Sequence, residues 1–262
     1  MSNFPIACQT ITWGNEQTTF FPQVFDEVKA AGYSGVEIGI RHVKPHAPSE
    51  VKRMLDERGL TLAALHVGGN LLDADQASQE RSTLDLALEY LEATGTKFLM
   101  YSGLRFHDDG QFARDFTSLS IAAEQCASRG VRLLYHNHNW EFEGDARVIE
   151  ALLGKGSRHL GFCPDVGWVM KGGWKIVPFL EQIRDRIVAI HFKDFATDGQ
   201  GCDTVVLGTG VAPLEKAAEW VKVNTQGMWV IAEQDHADIP PAEAAAKNAQ
   251  FLKSMFPLDD QV

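Results

Sequence analysis

Ala30–Ile38 (AAGYSGVEI), Asp56–Leu65 (DERGLTLAAL), Ala93–Met100 (ATGTKFLM) and Ser128–Tyr135 (SRGVRLLY) share one rhythm: the end of an amphipathic run, a glycine, then a short apolar run. Gly32, Gly59, Gly95 and Gly130 each fall just past the periodic residues of a helix. A glycine there accepts the left-handed backbone that closes a helical turn, so these positions predict helix ends. The apolar runs that follow read as buried strands. The pattern recurs at roughly thirty residues, the length of one strand–helix unit.

Working outward from these stretches gives eight strand candidates: Ile6–Thr12, Gly35–Ile40, Thr61–Val67, Lys97–Ser102, Val131–His138, Leu160–Asp165, Ile187–Asp194 and Met228–Asp235. Between them lie helix candidates such as Phe20–Ala31 and Thr83–Thr94, with apolar residues three and four apart and a charged far face. Eight such units without a Pro/Gly/Ser-rich linker predict an α/β fold, a single (β/α)8 barrel over residues 1–262, because closure removes both sheet edges. An open doubly wound sheet is the alternative. Against it, Thr12–Gln17 (TWGNEQ) follows the first strand where a dinucleotide fold would place GxGxxG.

The chain has 24 Lys and Arg against 35 Asp and Glu, a net charge near −11, and no basic cluster. Binding a phosphate backbone needs a positive footprint, so neither nucleic acid nor an anionic membrane is expected as a partner. Cys8, Cys126, Cys163 and Cys202 form no CxxC pair and suggest neither a zinc knuckle nor a disulfide framework. The N-terminus lacks a basic and an apolar leader region, and no apolar run is long enough for a bilayer. A cytoplasmic protein with reduced thiols is the expectation.

In a barrel of this kind, catalytic groups sit at the carboxyl ends of the strands. Polar residues crowd those ends: Glu37 on the second strand, His66 on the third, and His136 and His138 followed by Glu141 on the fifth. Asp165 ends the sixth, His191, Lys193 and Asp194 the seventh, and Glu233 and Asp235 the eighth. A single strand-end histidine is usually structural, and an Asp after a strand is often a helix cap. Four consecutive strands aiming carboxylates and imidazoles at one space are another matter. Clustered carboxylates repel unless a positive charge sits between them, and a divalent cation supplies it. A mixed oxygen and nitrogen set suits Mn²⁺, Mg²⁺ or Co²⁺, with Zn²⁺ also compatible.

Tyr135–Glu143 (YHNHNWEFE), Gly161–Gly173 (GFCPDVGWVMKGG), Ile187–Phe195 (IVAIHFKDF) and Met228–Asp235 (MWVIAEQD), in that order, resemble the xylose-isomerase-like TIM-barrel sugar isomerase/epimerase superfamily. Ile6–Gly14 (IACQTITWG) fits as well, and the likeness runs from Ile6 to about Phe256. Members include ketose 3-epimerases, hydroxypyruvate isomerases and inosose dehydratases. The resemblance implies one divalent metal, Mn²⁺ first, held by Glu141, Asp165, His191 and Glu233. His136 or His138 is the alternative to Glu141, because epimerases carry this glutamate within strand five. Trp168 stands where many members have a substrate-contacting histidine.

The resemblance further implies proton removal from carbon beside a carbonyl, through an enediolate or enolate, on a sugar, keto-sugar or keto-cyclitol. Epimerisation or isomerisation is the first expectation, and dehydration of the inosose dehydratase kind the alternative. A phosphodiesterase and a noncatalytic sugar-binding barrel are more distant ones. Catalytic candidates are Glu233, Glu141, His138, Lys193 and His66, with His66 otherwise an anchor for the loop Val67–Asp73. His136, Trp168 and Glu37 are expected near substrate, Glu37 behind the ligands. A homo-oligomer is expected by the same likeness.

Overall fold

The computed structural model describes residues 4–68, 77–198 and 201–257. The loop Val67–Asp73, which His66 was expected to anchor if not catalytic, therefore lies largely outside the described residues. Seven parallel strands come in chain order: β1 (Ile6–Gln9), β2 (Gly35–Gly39), β3 (Thr61–Gly68), β4 (Phe98–Ser102), β5 (Arg132–Tyr135), β6 (Leu160–Phe162) and β7 (Ala189–Phe192). A small antiparallel hairpin follows, β8 (Asp194–Phe195) with β9 (Thr204–Val205), and then β10 (Trp229–Ala232). The eight-stranded sheet runs β6-β5-β4-β3-β2-β1-β10-β7. Its two ends meet through isolated bridges Phe162↔Ile187 and Asp165↔His191, with Val188 N donating to Phe162 O (3.0 Å) and His191 N to Pro164 O (2.9 Å). The expected barrel is present, closed except for a thin seam between β6 and β7.

Helices α1 (Phe21–Ala31), α2 (Ile40–Val43), α3 (Pro48–Asp56), α4 (Ala77–Thr94), α5 (Asp109–Ser128), α6 (Arg147–Lys155), α7 (Val166–Lys171), α8 (Ile176–Ile183), α9 (Leu214–Asn224) and α10 (Pro241–Met255) fill the crossovers. Gly32 and Gly130, at φ 86° and 71°, close α1 and α5 as their positions predicted. The expected helix Thr83–Thr94 begins earlier, at Ala77. Several strands are shorter than expected: Val131–His138 is Arg132–Tyr135, Ile187–Asp194 is Ala189–Phe192 and Met228–Asp235 is Trp229–Ala232. At these ends the ladder has run out while inward alternation continues, and on β6 Pro164 has no N–H to give. Among the described residues no helix is long and apolar enough to cross a membrane.

Strand side chains alternate between two faces, and the core divides accordingly. One cluster, including Ile6, Cys8, Val36, Leu65, Tyr101, Phe192 and Val230, packs outward under the helices. A second, separate cluster of Ala7, Ala63, Ala64, Met100, Leu134, Cys163, Ala189 and Ile231 plugs the barrel interior. Its members are mostly small because eight strands leave little room inside. Trp229 takes up some of that space: a Cβ at Gly35 would lie 2.8 Å from its ring.

One close approach fixes the mouth of the barrel. A Cβ on Gly167, in the first turn of α7, would sit 2.4 Å from the Lys193 carbonyl oxygen and 2.9 Å from its carbon, both backbone atoms that cannot swing away. Gly167→Ala is expected to destabilise the fold by about 1–3 kcal/mol, as overpacking does. Urea titration would show it as a lower midpoint at unchanged slope. An unchanged midpoint would mean that α7 is free to lift off β7.

Candidate active site

Two residues beyond the interior plug, the next inward position of every barrel strand is polar. These are Gln9, His66, Ser102, His136, Asp165, His191 and Glu233, each two positions after the plug residues Ala7, Ala64, Met100, Leu134, Cys163, Ala189 and Ile231, and Glu37, two positions after Gly35, which has no side chain to add to the plug. The alternation of the pleat thus stacks a polar layer on an apolar one at the carboxyl mouth. Glu37, His136, Asp165 and His191 have no solvent exposure, and Glu233 retains 5%.

Four of these groups converge. His136, Asp165, His191 and Glu233 each offer one donor atom, all within 4.8 Å of one another. His191 Nδ1 lies 2.5 Å from Glu233 Oε2, and His136 Nε2 lies 3.8 Å from the same oxygen. The other nitrogen of His191, Nε2, bonds Glu37 Oε2 at 2.7 Å, while Glu37 Oε1 meets His66 Nδ1 at 3.1 Å. Glu37 therefore orients two imidazoles with one carboxylate, and His66 Nε2 continues the chain to Ser102 Oγ at 2.9 Å. Asp165 is held from both sides. Its Oδ1 accepts from Trp168 N (2.9 Å), capping α7, and the Asn137 side chain pairs with its backbone N and O at 3.1 and 3.2 Å.

Lys193, 1% exposed, is the cation within this anionic cluster. Its Nζ lies 2.8 Å from Asp235 Oδ2, 3.4 Å from Glu233 Oε1 and 3.6 Å from Asp165 Oδ2. The charges respond as buried groups do. Burial pushes the Asp165 carboxyl up to about 7, Lys193 only partly offsetting it. Burial acts in the same direction on Glu233, but Lys193 and His191 outweigh it and hold that carboxyl well below its usual range. Burial opposes protonation of His191, yet Glu37, Cys163 and Glu233 raise it well above an ordinary histidine. His136 is pushed well below by burial and then by His191.

Both ring nitrogens of His136, and Asp165 Oδ2, are buried without a hydrogen-bond partner. Each such orphan costs about 1–3 kcal/mol, so their convergence on one point fits a site for a divalent cation. Cys163 adjoins His136 and His191 as well. Burial pushes its thiol up to about 11, leaving the oxygen and nitrogen donors as the charged set.

Three of the four expected ligands, Asp165, His191 and Glu233, are brought together here, and the fourth, Glu141, is not. It follows β5 in a short turn, Trp140–Phe142, that folds its carboxylate back: Oε1 accepts from Tyr135 Oη (2.7 Å) and Oε2 from His138 N (2.8 Å). Burial raises it to about 7. His136, named as an alternative ligand, occupies the fourth corner. His138 stacks on Trp140 (4.0 Å, 11°), and burial, with Lys193 next, lowers it to about 3. Trp168 is 5% exposed and packs on Phe195 at 4.7 Å with Lys193 Nζ 4.9 Å from its ring, so it does not line the open pocket.

That pocket, about 210 Å³, is walled by His66, Ser102, His138, Glu233 and Asp235 together with Gln9 and Arg41. Gln9, Ser102 and Arg41 were not anticipated. The first two follow from strand parity, but an uncharged side chain is cheap to bury and raises no flag in a search for costly groups.

This architecture recurs in known proteins. The model of the xylose isomerase-like TIM barrel family matches residues 25–255. An inosose dehydratase from Lacticaseibacillus casei is 25% identical over 274 aligned positions, covering 91% of this chain and 90% of the relative. A 3-keto-D-glucoside 4-epimerase from E. coli superposes with a TM-score of 0.78 at 18% identity, covering 96% of this chain and all of that one, 100%. A sugar phosphate isomerase/epimerase from Parabacteroides distasonis gives 0.79 at 20% identity, over 97% and 95%. With the matching stretch running through almost every strand and helix described above, the chain belongs to the xylose isomerase-like TIM barrel family.

Proposed function

We propose that this chain, taken as one barrel domain, is a divalent-metal-dependent enzyme that removes a proton from carbon beside a carbonyl in a sugar, keto-sugar or keto-cyclitol. The observation that carries the reading is the convergence of His136, Asp165, His191 and Glu233 on one point, with buried donor atoms left unpartnered. These four residues would hold the cation. When bound, it supplies electrostatic stabilisation of the oxygen charge that develops as the proton leaves carbon. Mn²⁺ is the first choice, since two carboxylates and two imidazoles are compatible with it as well as with Co²⁺ and Zn²⁺.

The chain's own groups divide the remaining work. Glu233 borders the pocket and is held ionised, so its Oε1 is the base that takes the proton. Lys193, 3.4 Å from that oxygen, keeps it charged before the transfer and steadies Asp165 and Asp235. His66, bonded to Glu37 on one nitrogen and Ser102 on the other, is placed to hold and return a proton at Nε2. His138, kept neutral, offers a hydrogen-bond acceptor to a substrate hydroxyl. Glu141 acts through Tyr135 and the His138 backbone, fixing the segment that carries both histidines.

Return of the proton to the same or the neighbouring carbon gives epimerisation or isomerisation. Loss of a β-hydroxyl gives dehydration, a second reading favoured by the inosose dehydratase relatives that align over nine tenths of both chains, 91% and 90%. One experiment tests both. The purified chain is assayed for metal content, then incubated with ketoses, keto-cyclitols and 3-keto-glycosides in D₂O. About one ion per chain and deuterium at the carbon beside the carbonyl are expected. Release of water would select dehydration. Two or three ions would point to an esterase, and neither metal nor exchange would leave a sugar-binding barrel.

A further inference from the structure

Arg41 lines the same pocket as His66, Ser102 and Glu233, yet it has no task in proton transfer. It lies two residues past the end of β2, in the single turn α2. Its Nε donates to His42 Nε2 at 3.0 Å. For that bond the imidazole must present a lone pair. Burial, and then the charge of Arg41 itself, lower His42 to about 4 against the effect of a backbone bond to Asn15, so the ring is neutral at physiological pH. The backbone that carries the ring is also held in place. Thr18 Oγ1 donates to the His42 carbonyl, and the lack of a side chain on Gly39 leaves room for the imidazole, whose Cδ2 would be 3.2 Å from a Cβ there.

One edge of the guanidinium is thus pinned to a neutral partner, and no described residue hydrogen-bonds either terminal nitrogen, which leaves the charge for another acceptor. Among the described residues no carboxylate lies within ion-pair distance of Arg41. The two carboxylates on the pocket wall are already engaged, Glu233 by His191 and Lys193, Asp235 by Lys193. A planar guanidinium in this state is built for a carboxylate or phosphate, which it can grip with two parallel bonds.

We propose that Arg41 is a specificity-determining residue that selects substrates bearing an anionic group, carboxylate or phosphate, in addition to the carbonyl, with His42 as its positioning residue. This rests on the pocket being the substrate site of the enzyme proposed above. Purified metal-loaded protein is titrated by calorimetry with glucose, gluconate and glucose 6-phosphate as probes, at low and at high salt. At low salt at least one anion should bind about tenfold to a hundredfold more tightly than glucose, the range of a charge-assisted pair. Whichever anion wins names the source of the charge. The preference should vanish in Arg41→Gln and survive in part in Arg41→Lys, with unchanged melting temperature since Arg41 is exposed.

Once a substrate is found, Arg41→Gln should raise KM by a similar factor and leave kcat within about threefold, the signature of a binding contact rather than a chemical one. His42→Ala should weaken the anion preference without abolishing glucose binding. Equal affinities for all three probes, absence of anion binding, or a preference that persists in Arg41→Gln would each overturn the inference. Failure of the enzymatic reading is a separate result, seen as absent metal and absent deuterium exchange in the wild-type chain.

Discussion

Glu233→Gln is expected to lower turnover by about 10³-fold or more and to weaken metal binding, with the fold retained. The size follows from two losses at one position. A positioned general base contributes about 10²–10⁴-fold, and glutamine cannot take the proton. The charge also disappears from the side chain nearest His191 Nδ1, 2.5 Å away, and His136 Nε2, 3.8 Å away, so the converging donors lose one of two anions. Deuterium exchange rate and equilibrium metal affinity are read separately. A variant exchanging within about tenfold of wild type would remove Glu233 from the chemistry.

Lys193→Met is expected to have a large effect of another kind. The ammonium is surrounded by Asp235 at 2.8 Å, Glu233 at 3.4 Å and Asp165 at 3.6 Å, and is 1% exposed. Breaking a buried pair by removing one partner costs about 3–5 kcal/mol. In a chain of this size that is roughly 6 °C or more in melting temperature. The deficit also depends on pH. Asp165, at about 7 in the folded chain, lies above its unfolded value, so ionising it costs stability as pH rises. Without Lys193 that rise continues to higher pH. In chelator-treated protein the gap between variant and wild type should therefore already be present near pH 5, where Glu233 is ionised, and widen further through pH 8 as Asp165 ionises. A gap of constant size would mean that the lysine acts by packing alone.

The barrel was legible because its cues are local: a glycine at each of four helix ends, followed by an apolar run. The convergence of Asp165, His191 and Glu233 was legible for a physical reason too, since a buried charge at a strand end is expensive unless other groups gather around it. Glu141 misled because it lies in the turn beyond β5, where the strand's two-residue alternation no longer governs direction. His136, one position beyond the last ladder residue Tyr135, still obeys it, and its amide still bonds Tyr101 O at 2.8 Å. Parity with Leu134 points His136 inward. Trp168 lies outside the pocket lining for a related reason. It stands in the first turn of α7, where the Asp165 cap sets its direction, and it packs against Phe195. Arg41 carries no strand signature at all. Only the fold shows that a one-turn helix after β2 brings it to the pocket.

Each other neighbouring pair in the ring shares three to five registered residues, whereas β6 and β7 touch through two isolated bridges, one of them Asp165↔His191. Those same two side chains face the candidate ion. A cation gripped by both would act as a clasp on the hoop, contributing where hydrogen bonds are fewest. Loss of the ion would then slacken the hoop at its opening as well as disarm it, so metal supply would govern how long the molecule survives in addition to how fast it works.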